Sequence, residues 1–312
     1  VVRGPSGPNQ GSKGEEERLA VRVKDKNEEV DFKLGCHVKI SGGLLRAVDR
    51  ALERGCRTFQ VFLSNPRGWK GSDAIPPDLE ELGKRCERDG LEPIFIHTIY
   101  LVNLATPSEE VFQNSVSAVL ANLRAADVLG RAAVVTHLGS HGGMGEEEGL
   151  RRVVEGLRLV MERHRGDAPL LLETTAGSGG TVGHSFSQLG KIIRALDGDP
   201  RLGVCLDTCH VFAAGYEVRT KEGLEVTLRE AEKELGPGRL RLVHANDSKG
   251  KLGSRVDRHV HLGEGEIGVE GFRVMLVHPL LRGLPWILET PEMTVEADRK
   301  NMELLLKLYR ES

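Results

Sequence analysis

From Leu34 onward the chain repeats one alternation of hydrophobic and polar positions. Short apolar, often β-branched runs predict strands at 34–40, 58–63, 91–97, 132–138, 169–175, 202–207, 240–245 and 284–290. Between them apolar residues recur at helical spacing, which predicts helices beginning at Leu44, Asp78, Ser108, Glu146, Ser185, Lys221, Val269 and Val295. Ser108, followed by two acidic residues, has the chemistry of a helix N-cap, and Gly55 and Gly130 have that of a stop. Eight strands alternating with eight helices is the count of an α/β protein of the (β/α)8 TIM barrel type. An open doubly wound sheet is the other arrangement this pattern allows, because strand order is not written in the periodicity.

The polar residues that interrupt the pattern fall at one place in it. His97, His137, Glu173, Asp207, His244 and Glu289 each stand at the C-terminal end of a different predicted strand, the third through the eighth in succession. In a closed ring of parallel strands those ends converge on one mouth, where barrel enzymes hold their chemistry. Unpaired buried carboxylates cost several kcal/mol, so packing alone would not gather them there.

Three more candidates lie close by in the chain. His210 follows Asp207 by three residues in DTCH, and the stretch HANDSKGKLGSRVDRHVHLGEGEIG from His244 presents Asp257 and His259. Imidazole and carboxylate at D-x-H spacing suit a borderline-soft divalent cation, since a two-residue step turns both side chains toward one ion. Lys249, Lys251, Arg255 and Arg258 surround them. Four carboxylates in one cavity raise one another's pKa unless cations offset them. Nine such side chains suit two or three ions; three divalent ions, the carboxylates and one hydroxide leave a formal charge of about +1, which attracts a phosphodiester.

Composition narrows the setting. The 43 Lys and Arg against 46 Asp and Glu give a net charge of −3, so the whole chain carries no polyanion-binding signature; net charge says nothing of local patches. Five cysteines without a C-x-x-C pair read as reduced thiols of a cytosolic protein. No run approaches the ~20 apolar residues of a membrane span, and no membrane partner is expected. Residues 1–33 are polar, punctuated by Gly and Pro and then charge-mixed, which predicts a disordered N-terminal extension before a single barrel domain over 34–312.

LGVCLDTCHVFAAGYE from Leu202, the stretch from His244, LLETTAG from Leu171, WILET from Trp286 and GCHVKISGGLLRAV from Gly35 resemble the metal-site segments of the endonuclease IV family. These are zinc-dependent endonucleases of apurinic/apyrimidinic sites (AP endonuclease family 2), and the resemblance covers nearly everything from Leu34 on. It implies a TIM barrel with three Zn2+ ions, for which Mn2+ can substitute. His97, His137 and Glu173 resemble the ligands of the first ion; Glu173, Asp207, His244 and Glu289 those of the second; His210, Asp257 and His259 those of the third. The implied reaction is hydrolysis of the phosphodiester 5′ to an abasic site in double-stranded DNA by a metal-bridging hydroxide. It leaves a 3′-hydroxyl and a 5′-deoxyribose phosphate, and blocked 3′ ends are also removed. Glu173 and Glu289 are candidates for orienting the nucleophile as well as ligating. A monomer is expected, cytoplasmic and nucleoid-associated in a prokaryote, nuclear or organellar in a eukaryote.

An enzyme acting on a missing base must hold a bent duplex and fill the gap in the stack. By the same resemblance Arg67, in the loop SNPRGWKG, and Tyr100 and Leu101, in HTIYLVNL, enter the DNA at the lesion. Pro66, Gly68, Thr98, Ile99 and Ser178 depart from the family's usual residues in these loops, and bear on substrate preference and rate more than on metal binding. His37 reads as a residue behind the metals, His141, His184 and His261 as exposed loop residues, and His164 and His278 as structural. Two rival readings stand beside this one. A metal-dependent sugar isomerase would use two metals and leave His210, Asp257 and His259 unexplained; a protein that senses lesions without cutting would not need the ligands.

Overall fold

The computed structural model describes Val1 and residues 31–311. Two compact units are distinguished, Val1–Phe32 and Lys33–Ser312, and the architecture that follows belongs to the second. The extension predicted over residues 1–33 falls largely outside the described residues.

Eight parallel strands close into a barrel: β1 (Leu34–His37), β2 (Thr58–Val61), β3 (Ile94–His97), β4 (Ala132–Thr136), β5 (Leu170–Glu173), β6 (Leu202–Asp207), β7 (Leu240–Ala245) and β10 (Trp286–Leu288). Closure is what excludes the open sheet. β1 pairs on one side with β2, Gly35 opposite Thr58, and on the other with β10, Leu34 opposite Trp286. The strands are shorter than the apolar runs that announce them. The run 91–97 yields strand only over Ile94–His97, since Pro93 has no N–H to give to a ladder.

All eight predicted helices are present: α1 (Arg46–Arg54), α2 (Leu79–Asp89), α3 (Glu109–Leu129), α4 (Glu146–Arg163), α5 (Phe186–Ala195), α7 (Lys221–Leu235), α8 (Gly268–Val277) and α10 (Val295–Arg310). Ser108 caps α3 by accepting from Val111 N at 3.4 Å, and Gly55 ends α1 in the left-handed region at φ 78°. Two short helices interrupt the alternation, α6 (Thr208–Ala214) after β6 and α9 (Pro279–Arg282) before β10. A two-stranded antiparallel hairpin, β8 (Asp247–Ser248) with β9 (His259–Val260), stands above β7. Among the described residues no helix is long and apolar enough to cross a membrane.

The barrel interior is plugged by Phe95, Val135, Leu171, Cys205, Leu242 and Ile287, all within 2 % of full burial. One such residue comes from each of β3 to β7 and β10. These plugs set the position of everything above them.

Candidate metal centre

Along a strand the side chain two residues on points to the same face. Two residues beyond Phe95 stands His97; beyond Val135, His137; beyond Leu171, Glu173; beyond Cys205, Asp207; beyond Leu242, His244; beyond Ile287, Glu289. The plug layer therefore dictates that all six face the axis at the mouth. The remaining three arrive by local turns. Asp207 caps α6, accepting from His210 N at 2.8 Å, and the first turn of that helix carries His210 back over it. The β8–β9 hairpin folds the loop over the mouth, bringing Asp257 Oδ1 to 3.1 Å and His259 Nε2 to 3.4 Å from His210 Nε2.

The nine side chains fall into three groups, within each of which the potential ligand atoms lie within 4.8 Å of one another: His97, His137 and Glu173; Glu173, Asp207, His244 and Glu289; His210, Asp257 and His259. Glu173 joins the first two. Its Oε2 is 3.0 Å from His97 Nε2 and 3.4 Å from His137 Nε2, while its Oε1 is 3.1 Å from His244 Nδ1. Glu289 Oε2 lies 3.2 Å from the same His244 nitrogen.

The imidazole hydrogen bonds show whether this set fits a metal. His97 Nδ1 lies 2.6 Å from Thr98 O, and His210 Nδ1 2.8 Å from Thr174 O. His259 Nδ1 lies 3.2 Å from Glu289 O, and His244 Nε2 2.9 Å from Gln60 Oε1. Each of these oxygens accepts, so each ring nitrogen beside it carries the proton and donates. The other nitrogen of each neutral ring then turns a lone pair toward carboxylate oxygens or, between His210 and His259, toward another lone pair. Acceptor facing acceptor at 3.0–3.4 Å requires a cation between them, a proton or a metal ion. Backbone carbonyls behind ligating histidines are also the usual means of fixing a metal site. The donor set, imidazole and carboxylate with no obligatory thiolate, suits Zn2+ and tolerates Mn2+.

Protonation follows the same field. Burial opposes charge on His210, yet Asp207 and Asp257 raise it to about 10. Burial likewise opposes charge on His97 and His244, which are nevertheless raised, His97 by Glu173 and His244 by Cys205, Glu289 and Glu173. Burial and the neighbouring Glu173 oppose charge on Glu289, as acidic groups crowded together do. Burial raises Glu173 and Glu289, but the imidazoles interleaved with them hold both below the usual carboxylate range. Asp257, opposed by burial and held by His210 and His259, lies at about 2. Cys209 also falls within 4.8 Å of Asp207 and His259 atoms, but burial keeps its thiol protonated, with a pKa of about 12.

A cavity of about 780 Å³ opens over the groups, and Arg67 and Tyr100 line it together with His97, His137 and Glu289. Tyr100 N donates to Pro66 O at 3.0 Å, tying the two loops together. The Tyr100 ring packs edge-on against Phe62 at 5.0 Å. Leu101 is exposed at the rim and does not line the cavity. Of the departing residues, Thr98 and Ile99 are buried, Thr98 Oγ1 bonded to Thr136 Oγ1, and neither is among the residues lining the cavity. His141, His184 and His261 are half-buried, not exposed; His141 Nδ1 accepts from Gly143 and Gly145, and His261 Nδ1 from Asn301 Nδ2.

Two residues that complete the centre carry no sequence signature of metal binding. Asn246 donates from Nδ2 to Asp207 Oδ2 at 2.6 Å and accepts at Oδ1 from Glu289 N at 3.0 Å, joining two predicted ligands. Gln60 bonds to Glu289 and His244. The signal for Gln60 is its position, a polar amide inside the largely apolar run TFQVFL.

A closed barrel with titratable groups gathered at the strand ends is the architecture of the xylose isomerase-like TIM barrels, and residues 48–311 match that family. A probable endonuclease 4 of Methanoculleus marisnigri is 45% identical over 276 residues, spanning 88% of this chain and 98% of its own. The crystal structure of endonuclease IV from Thermus thermophilus, 36% identical, superposes with a TM-score of 0.78 over 90% of this chain and 100% of its own. The chain belongs to the endonuclease IV family. A D-tagatose 3-epimerase-like protein, 18% identical with a TM-score of 0.65 over 89% of this chain and 98% of its own, shares the fold alone.

Proposed function

We propose that this protein is a DNA repair endonuclease that hydrolyses the phosphodiester 5′ to abasic sites in duplex DNA at a trinuclear zinc site, leaving a 3′-hydroxyl and a 5′-deoxyribose phosphate, and that it also clears blocked 3′ ends. Its family makes it a DNA-cleaving hydrolase, an AP endonuclease. The observation that carries the finer reading is the sharing of Glu173 by two ligand groups beside a third, formed by His210, Asp257 and His259, that a two-metal sugar isomerase would have no use for. Residues 34–312 act as a single catalytic domain and the chain acts as a monomer.

Zinc, when bound, polarises a phosphodiester and brings water within reach of ionisation near pH ~7. The chain supplies the geometry. Glu173 divides its two oxygens between the first and second groups, and Glu289 presents Oε2 to His244 in the second group while Oε1 is held by Gln60. Both orient the attacking group. Arg67, exposed on its loop, and Tyr100 with Leu101 reach into the duplex where a base is missing.

An end-labelled duplex with one abasic analogue tests the reading. Incision at that position is expected, falling to background after strong chelation and returning with Zn2+ or Mn2+, with three zinc ions per chain by elemental analysis. Sugar isomerisation without incision, or a stable uncut complex, overturns it. Arg67→Ala is expected to weaken binding to the abasic duplex about tenfold more than to an intact one, measured by equilibrium titration; equal loss on both reduces Arg67 to a phosphate contact.

A further inference from the structure

Six of the eight strands carry a predicted ligand within one residue of their C-terminal end; β1 and β2 do not. Toward their C-terminal ends these two carry His37 and Gln60, partners in the β1–β2 register. Gln60 is fully buried and makes three side-chain contacts: its Nε2 is 2.6 Å from Glu289 Oε1 and 3.1 Å from His37 Nδ1, and its Oε1 is 2.9 Å from His244 Nε2.

Only one orientation of the amide is consistent with these partners. A carboxylate oxygen accepts, so the NH2 must face Glu289. Its second N–H then goes to His37 Nδ1, and the carbonyl oxygen faces His244, whose Nε2 must donate. With its proton on Nε2, the His244 ring turns the Nδ1 lone pair toward Glu173 Oε1 and Glu289 Oε2, 3.1 and 3.2 Å away. The same amide occupies Glu289 Oε1 and leaves Oε2 for the second group. Both N–H groups and the oxygen of one amide are used, and each use fixes how a neighbouring group presents itself.

We infer that Gln60 is a positioning residue of the metal centre, selecting through one amide the tautomer of His244 and the oxygen of Glu289 that face the second metal group. His37 is the brace behind it: packed 4.4 Å from Phe62, it holds the second amide hydrogen and so keeps the amide from turning over. The inference rests on the metal-centre reading of the site but not on the identity of the nucleic-acid substrate.

Three variants of the full chain separate this role from packing. Gln60→Met keeps the volume and removes all three hydrogen bonds; Gln60→Glu keeps the acceptor toward His244 and sets a second carboxylate against Glu289; His37→Phe keeps the ring and removes the brace. Zinc retained per chain is measured against graded chelator, and the visible spectrum of the Co2+-substituted protein reports ligand geometry. Loss of a hydrogen bond behind a metal ligand lowers affinity about 10- to 100-fold, and that loss is expected for one ion in Gln60→Met, with more in Gln60→Glu and less in His37→Phe. The Co2+ spectrum is expected to change while the thermal midpoint of the metal-free protein stays near the wild type. On an abasic duplex kcat is expected to fall with KM little changed. Wild-type zinc affinity together with a wild-type Co2+ spectrum in Gln60→Met and Gln60→Glu overturns the inference, whether or not the protein cuts DNA. A variant that loses its fold in metal-free form assigns Gln60 to the core instead. If all proteins bind zinc as expected but none incises the duplex, the proposed substrate fails and the role of Gln60 stands.

Discussion

Glu173→Gln is expected to lower single-turnover incision of an abasic duplex by about 10³-fold or more, the scale on which one electrostatic contributor to a transition state acts. Glu173 is wholly buried, and each of its oxygens serves a different group: Oε2 toward His97 and His137, Oε1 toward His244. Glutamine has the same shape, so the barrel plugs beneath it stay packed, but it exchanges one anionic oxygen for an NH2 that does not ligate. Whichever way the amide turns, one group loses its shared carboxylate. The amide also removes the nearest anion that holds charge on His97, leaving Glu289 to oppose burial and His244 at that ring. Zinc content is expected to fall by at least one ion per chain with it. Incision within tenfold of the wild type, with all three ions retained, would remove Glu173 from the centre.

The sequence carried most of the barrel and the placement of six of the nine candidate ligands at its mouth, because both follow from the two-residue period of strands. Each apolar run had to bury a plug, and the polar residue two positions on had to share its face, so His97 and Glu289 were readable from spacing alone. Where the chain leaves that period, the spacing no longer informs. Helix α6 lies inside DTCHVFAAGY, where seven residues are too few for a hydrophobic period, and its cap is Asp207, a side chain already accounted for as a ligand. The second use of Asp207 was invisible until His210 was seen folded over it. Gln60 is a different case: its partners are set by closure of β1 onto β10, which brings residues 229 positions apart into contact. Asn246 likewise acts between two strands, neither of which signals it. The glycine-rich run GEGEIG from Gly263 wraps a single carboxylate.

That carboxylate is Asp247, an acidic residue among the candidate ligands in sequence whose oxygens go to backbone N–H groups instead. Asp247→Ala is expected to lower the stability of the barrel by about 3 kcal/mol or more, since each buried N–H left without an acceptor costs about 1–3 kcal/mol. Its two oxygens accept from Ser248 N at 2.8 Å, Gly263 N at 2.9 Å, Gly265 N at 3.1 Å, Ile267 N at 2.9 Å and Gly268 N at 3.2 Å. The approach is so close that a Cβ on Gly265 would stand 2.4 Å from Asp247 Oδ1, which is why that position is glycine. Alanine leaves these donors around a void and releases the chain between β9 and α8. Asp247 is also half of β8, paired with Val260, and the neighbouring pair is Ser248 with His259. Loss of the wrapping therefore loosens the hairpin that presents Asp257 and His259. Two readings are expected to move together: a drop in thermal midpoint of roughly 6–12 °C, on the usual conversion of free energy for a domain of this size, and loss of one zinc ion per chain at chelator concentrations the wild type withstands. Asp247→Asn keeps one acceptor oxygen and is expected to fall between the two. If alanine lowers the midpoint but all three ions remain as tightly held, Asp247 serves the barrel wall alone and the third group is held from the α6 side, by His210.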